Sequence, residues 1–201
     1  MNPLKRITAL FIAVIIALSL CSCTNNTIRK DGEFNPDNYV SEAQLSIFIN
    51  YVKLNQHFYN DVFVLDHLKI DESKAFTDDK GVNWAPVTDE MYKTYDSLVQ
   101  ALYGTYTEEA VKKILKDYPI YADVNGVFCY NTEDLNRERK GNKWLLNEDK
   151  EIELEGRTED SFTLEFRFDC EKDDEIDEFT FVRTGNGIND GYRLTELHAV
   201  S

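Results

Sequence analysis

The side chains with reactive chemistry are few and scattered. His57, His67 and His198 lie far apart, and the chain contains neither an H-E-x-x-H nor a C-x-x-C pairing. Metal sites draw their ligands from such short spacings, so no metal and no cofactor is expected. His57 and His67 read as surface residues near helix ends, and His198 as part of a fraying C-terminus. Nucleophilic hydrolysis requires an activated Ser or Cys, a base and an oxyanion hole. There is no G-x-S-x-G, and the conceivable thiol–imidazole couples are Cys129 with His57 and Cys170 with His198. Cys170 continues the alternation of Phe166 and Phe168, which marks it as an inert core thiol. No residue is assigned a catalytic role, and the chain is not expected to be an enzyme.

Carboxylates are plentiful: 37 Asp and Glu against 22 Lys and Arg give a formal charge of −15. Neighbouring acids such as Glu159 and Asp160 therefore carry little information, and these two fall in a turn. The run Glu171-Lys172-Asp173-Asp174-Glu175 lacks the alternating ligands of an EF-hand loop. It reads as a solvated hairpin connector, with Asp173, Asp174 and Glu175 as a candidate interaction loop. Gly185-Asn186-Gly187 precedes no helix, so a hairpin turn explains it better than a phosphate cradle. Tyr92, Tyr103, Tyr106, Tyr118, Tyr121 and Tyr130 read as core residues first and as a recognition surface second. The acidic balance disfavours nucleic acid and anionic lipid as partners.

The N-terminus addresses the chain rather than folding it. Lys5 and Arg6 precede an apolar run from Ile7 to Leu20, which is shorter than the roughly 20 residues a spanning helix needs. Leu20-Cys21-Ser22-Cys23 resembles a bacterial lipobox, with the small residue Ser22 directly before Cys23. That resemblance implies a signal peptide over 1–22, lipidation at Cys23, and a location on the extracytoplasmic face of the cell membrane, anchored by the lipid. Two or more acyl chains on one residue anchor stably where one does not. Loss of residues 1–22 removes two cations and no acid, which takes the formal charge from −15 to −17. Cys129 and Cys170 then remain, either bridged or as two buried free thiols.

The elements follow from patterning. Residues 23–40 are polar and aperiodic and read as a lipidated flexible tether; 41–201 suit a single domain. Ser41 starts a helix, with Leu45, Phe48, Val52 and Tyr59 on one stripe. Val82 to Ala85 suits a short strand ended by Pro86. Helices are expected over about Thr88–Tyr103, capped by Gly104, and from Thr107 to Pro119. Asp123-Val124-Asn125-Gly126 joins two short strands. From Ile152 onward, alternation through Phe162, Leu164, Phe166, Phe168, Phe179 and Phe181 predicts a four-strand antiparallel meander with one buried face. The expectation is an α+β domain, with N-terminal helices packed on a C-terminal meander.

One family resemblance bears on function. Pro86-Val87-Thr88, Thr94-Tyr95-Asp96-Ser97-Leu98, Tyr106-Thr107-Glu108-Glu109 and Asn125-Gly126-Val127, in this order, resemble the IseA-type inhibitors of DL-endopeptidases. That resemblance implies a non-catalytic extracytoplasmic protein that binds a cell-wall hydrolase, and it assigns no individual inhibitory residue. A second resemblance, at Phe179-Thr180-Phe181-Val182-Arg183 and Gly191-Tyr192-Arg193-Leu194, is to the closing strands of nuclear-transport-factor-like or cystatin-like folds. It implies a small ligand held between helices and sheet.

Overall fold

The computed structural model describes residues 40–170, 174–185 and 191–200. The signal segment, Cys23 and nearly all of the tether lie outside the described residues. Helix α1 spans Glu42–His57 and starts at a capping box. The Ser41 hydroxyl accepts from Gln44 N at 3.2 Å, and Ser41 N donates to Gln44 Oε1 at 3.1 Å. This reciprocal pair satisfies two amides that a helix start leaves orphaned. Leu45, Phe48, Val52 and Asn55 form its buried stripe. The helix then widens into a π-helical turn, Phe58–Phe63, in which Phe58, Tyr59, Asn60, Val62 and Phe63 are all buried.

Two sheets follow, both antiparallel. In the smaller, β1 (Phe76–Thr77), β2 (Asn83–Pro86), β3 (Tyr121–Val124) and β4 (Val127–Asn131) stand in the order β1-β2-β4-β3. Its β3–β4 hairpin turns through Asn125 and Gly126, at φ of 54° and 83°. Both angles are positive, as the tightest hairpin turns require. Between β2 and β3 lie α2 (Tyr95–Thr105) and α3 (Glu108–Asp117).

The expected helix start at Thr88 is corrected to Thr94. The Asp89 carboxylate accepts from the amides of Met91 and Tyr92, which folds that segment into a turn and leaves Met91 exposed. Thr94 and Ser97 then form a capping box. Gly104 lies inside α2 rather than capping it. Thr107 caps α3 as its sequence implies, with its hydroxyl accepting from Ala110 N.

The larger sheet comprises β5 (Trp144–Leu146), β6 (Glu153–Arg157), β7 (Ser161–Cys170), β8 (Glu175–Thr184) and β9 (Gly191–Leu194). Its last four strands are the expected meander. The fifth is β5, which shares one edge of β7 with β6. Side chains of α1 and the π-turn complete that edge. Leu146 N donates to Gln56 Oε1 at 2.9 Å, and Asn60 Nδ2 donates to the Trp144 carbonyl at 2.8 Å.

Phe162, Leu164, Phe166, Phe168, Phe179 and Phe181 point inward and are buried. Helix α1 packs on them, with the Phe48 ring centroid 4.4 Å from Phe181 and 5.4 Å from Phe162. Trp144 meets Phe168 edge-on at 5.0 Å, and Phe58 meets Tyr106 at 5.8 Å. Aromatic rings thus occupy the space between helices and sheet. The architecture is α+β, with the helices on the inner face of the meander.

The C-terminal segment docks and does not fray through residue 200. His198 N donates to Asn55 Oδ1, and Asn55 Nδ2 donates to the His198 carbonyl, both at 2.9 Å. The His198 ring lies 4.5 Å from that of Phe179, and its Nε2 is 3.1 Å from Asp177 Oδ2.

Candidate functional site

Most groups singled out by chemical type are engaged in holding the fold. Cys129 is buried on β4 and Cys170 half-buried on β7, so the thiols sit on different sheets and both are free. A bridge between them is therefore set aside in favour of two free thiols. Burial raises the pKa of each. At Cys170 the carboxylates of Glu175 and Asp174 add to the effect, and at Cys129 that of Asp123 does. A thiol held in its neutral form is a poor nucleophile. His57 pairs with Asp61, its Nδ1 3.0 Å from Oδ2. The His67 ring lies 4.7 Å from that of Tyr130, with its Nδ1 2.8 Å from the Leu68 carbonyl.

Four of the six tyrosines singled out in the sequence are core groups, and Tyr118 is half-buried beside them. Tyr92, Tyr106, Tyr121 and Tyr130 are buried, whereas Tyr103 is 39% exposed. The Tyr121 hydroxyl accepts from Leu68 N at 2.7 Å and donates to the Val62 carbonyl at 2.9 Å. The Tyr130 hydroxyl donates to Asp134 Oδ2 at 2.6 Å and accepts from Arg139 Nη2 at 2.9 Å. Burial first, and the Asp134 carboxylate second, push the Tyr130 phenol far above its usual range. Arg139 and Arg137 also donate to carbonyls at the end of the π-turn, those of Val64 and Phe63. This cluster fixes the polar excursion between β4 and β5. A shallow cleft of about 420 Å³ lies beside it, with Asp117, Asn131, Glu133 and Arg137 among its lining residues.

The surface left over is the outer face of the larger sheet. Because side chains alternate, the inward set on β7 and β8 fixes an outward set of Thr163, Glu165, Arg167 and Asp169 on β7 and Ile176, Glu178 and Thr180 on β8. Register then places Glu153 opposite Glu165, and Glu165 opposite Glu178. Three carboxylates therefore stand side by side across three strands. Like charges in directly opposed positions destabilise a sheet. The Glu165 pKa is raised, by desolvation first and then by Glu153, against a lowering from Arg167; Glu155 and Glu178 raise it further. Arg167 Nη2 stands 3.7 Å from Glu153 and 3.8 Å from Glu165, too long for hydrogen bonds.

Toward one end this face carries two exposed apolar side chains among charged ones. Leu145 and Ile176, 57% and 47% exposed, flank the Asp169–Arg167 stretch of β7. A depression of about 230 Å³ lies there, lined by residues including Asn147, Lys150, Arg167, Asp169 and Asp174. Asp174 and Glu175 of the expected interaction loop border it, while Asp173 lies outside the described residues. Alternation marked Glu165 as outward in the sequence. The lateral glutamate row emerges only from the register, including the irregularity between Leu154 and Gly156.

Among the described residues no helix is long and apolar enough to cross a membrane, and no three His, Cys, Asp or Glu converge to hold a metal ion. No family model matches the chain, and no curated protein matches it.

Proposed function

We propose that the chain is a lipid-anchored extracytoplasmic binding protein, non-catalytic, whose folded domain inhibits a cell-wall DL-endopeptidase. The observation that best supports this reading is the outer face of the larger sheet, which is uncovered among the described residues. It combines exposed apolar groups with a row of three carboxylates facing a single guanidinium, that of Arg167, on a backbone braced from behind by packed aromatic rings. A blocking protein benefits from a rigid, preorganised surface more than from reactive groups, because ordering on contact subtracts from affinity. The lipobox-like Leu20-Cys21-Ser22-Cys23 and the polar tether would hold that surface near the wall.

The test is release of wall fragments by a purified DL-endopeptidase, measured with increasing amounts of the full chain in a mild detergent. Inhibition that grows with the chain and saturates supports the reading. Undiminished release at large excess, with several such enzymes, would refute it. Anchoring is tested separately by labelling cells with a radioactive fatty acid: label should enter the wild-type chain and be absent from Cys23→Ala.

A further inference from the structure

We infer that the outer face of β6, β7 and β8 is a docking surface for a cationic protein surface, whose Lys or Arg side chains enter between Glu153, Glu165 and Glu178. This inference rests on the reading of the chain as a binding protein and names the chemistry of its partner.

Three observations converge on that face. First, among the described residues it is the unpartnered side of the sheet: α1 covers the opposite side, where Phe48 meets Phe162 and Phe181. Second, the row is arranged against the interest of folding. Glu153 and Glu178 are exposed, and both face Glu165 in register. Strand pairs ordinarily place opposite charges or Thr pairs in such positions. The next row of the same face does so, with the Thr163 and Thr180 hydroxyls 3.1 Å apart. Arg167 reaches toward the acids only at 3.7 and 3.8 Å, and one guanidinium faces several carboxylates. Third, Leu145 and Ile176 present apolar area on the same face, next to the depression that Arg167 and Asp169 line. A contact surface with an apolar portion and a charged portion matches the anatomy of protein interfaces.

Charge decides the class of occupant. A chain of formal charge −15 repels polyphosphate backbones and anionic lipid, whereas it steers a cationic protein toward this face. An arriving cation relieves the mutual repulsion of three carboxylates, so the strain in the free sheet becomes binding free energy in the complex. Desolvation first, and then the neighbouring Glu153, raise the pKa of Glu165, with Arg167 opposing.

The experiment has two arms, both on the full chain in a zwitterionic detergent. In the first, a decalysine peptide is titrated into isotope-labelled protein and amide shifts are mapped. The expected changes centre on residues 153–155, 163–169 and 176–180. Changes spread evenly over the acidic surface, or centred elsewhere, would overturn the inference whatever the enzyme assay gives. In the second, the triple variant Glu153→Gln, Glu165→Gln, Glu178→Gln is compared with a control of equal charge, Glu72→Gln, Glu90→Gln, Glu109→Gln, all exposed and away from the face. The face variant should weaken endopeptidase inhibition about tenfold, and the control less than about twofold. Thermal melts of both variants verify folding. Equal inhibition by wild type and face variant would overturn this inference and leave the proposed function standing. Absence of inhibition by wild type would overturn the function, and the peptide map would still decide the face.

Discussion

Tyr106, the C-cap of α2, donates its buried hydroxyl to Asn55 Oδ1 in the last turn of α1, at 2.9 Å. The same Asn55 amide holds both backbone groups of His198. One fully buried polar side chain therefore ties together two helices and the returning C-terminus. Asn55→Leu should leave the Tyr106 hydroxyl and the His198 amide without partners, at about 1–3 kcal/mol for each buried group left unsatisfied. Urea unfolding should show that loss, and carboxypeptidase should digest the last residues faster than in wild type. Wild-type stability together with an intact C-terminus would remove Asn55 from this role.

The Asp134 carboxylate is a second single point of failure. It accepts from Tyr130 and Arg139 at 2.6 and 2.9 Å, and its other oxygen faces Arg137 Nε at 3.0 Å. Asp134→Ala removes the acceptor of a buried phenol and the only carboxylate paired with two guanidinium groups among the described residues, so a loss of about 3 kcal/mol is expected. The midpoint of chemical denaturation reports it. Tyr130→Phe removes only the hydroxyl and should cost about 1 kcal/mol.

Two glycines make opposite predictions. Gly126 sits at φ 83° in the β3–β4 turn, and its amide donates to Asp123 Oδ1 at 2.7 Å. Gly126→Ala should destabilise by about 1 kcal/mol, because a Cβ is strained at positive φ. Gly104 lies within α2 with open space around its Cβ position, so Gly104→Ala should stabilise by about 0.5–1 kcal/mol. Melting temperatures of the two variants should move in opposite directions.

These contrasts show what the sequence made legible. The Ser41 and Thr107 caps, the Asn125-Gly126 turn and the Phe-rich alternation are local signals, so they could be read without partners. Thr88 looked like a helix start because Met91, Tyr95, Leu98 and Leu102 share a helical spacing; the Asp89 turn overrides it with two side-chain bonds. The smaller sheet was not foreseen as a unit. Its central pairing joins Trp84 to Asn131 and Ala85 to Tyr130, and no short-range pattern encodes contacts across the two intervening helices. The candidate face was half legible: periodicity put Glu165 outside, but Glu153 and Glu178 align with it only once three strands are in register. His198 belonged to a fold-wide contact with Asn55, which its place near the chain end concealed.

Glu165 gives a pH-dependent prediction. Its pKa is raised in the folded state by desolvation and by Glu153, Glu155 and Glu178, with Arg167 opposing. A carboxyl raised on folding favours the folded state while protonated, and that contribution is lost as pH rises through its folded pKa. Glu165→Gln should therefore be more stable than wild type at neutral pH, by about 0.5 kcal/mol. The gap should shrink as pH falls below the ordinary glutamate range, and also as salt screens the row. Thermal melts across pH at low salt measure it; a gap independent of pH would exclude carboxylate repulsion as its source.

The central claim is that this chain blocks a cell-wall DL-endopeptidase by binding it. The most direct measurement is a titration of the full chain, in detergent, into a fixed concentration of a purified DL-endopeptidase while fragment release is followed. The account predicts that activity falls in proportion to added chain, with an end-point near equimolar, and that raising the salt weakens the inhibition. Fragment release that stays constant across the titration, with no complex detected by calorimetry, would contradict it.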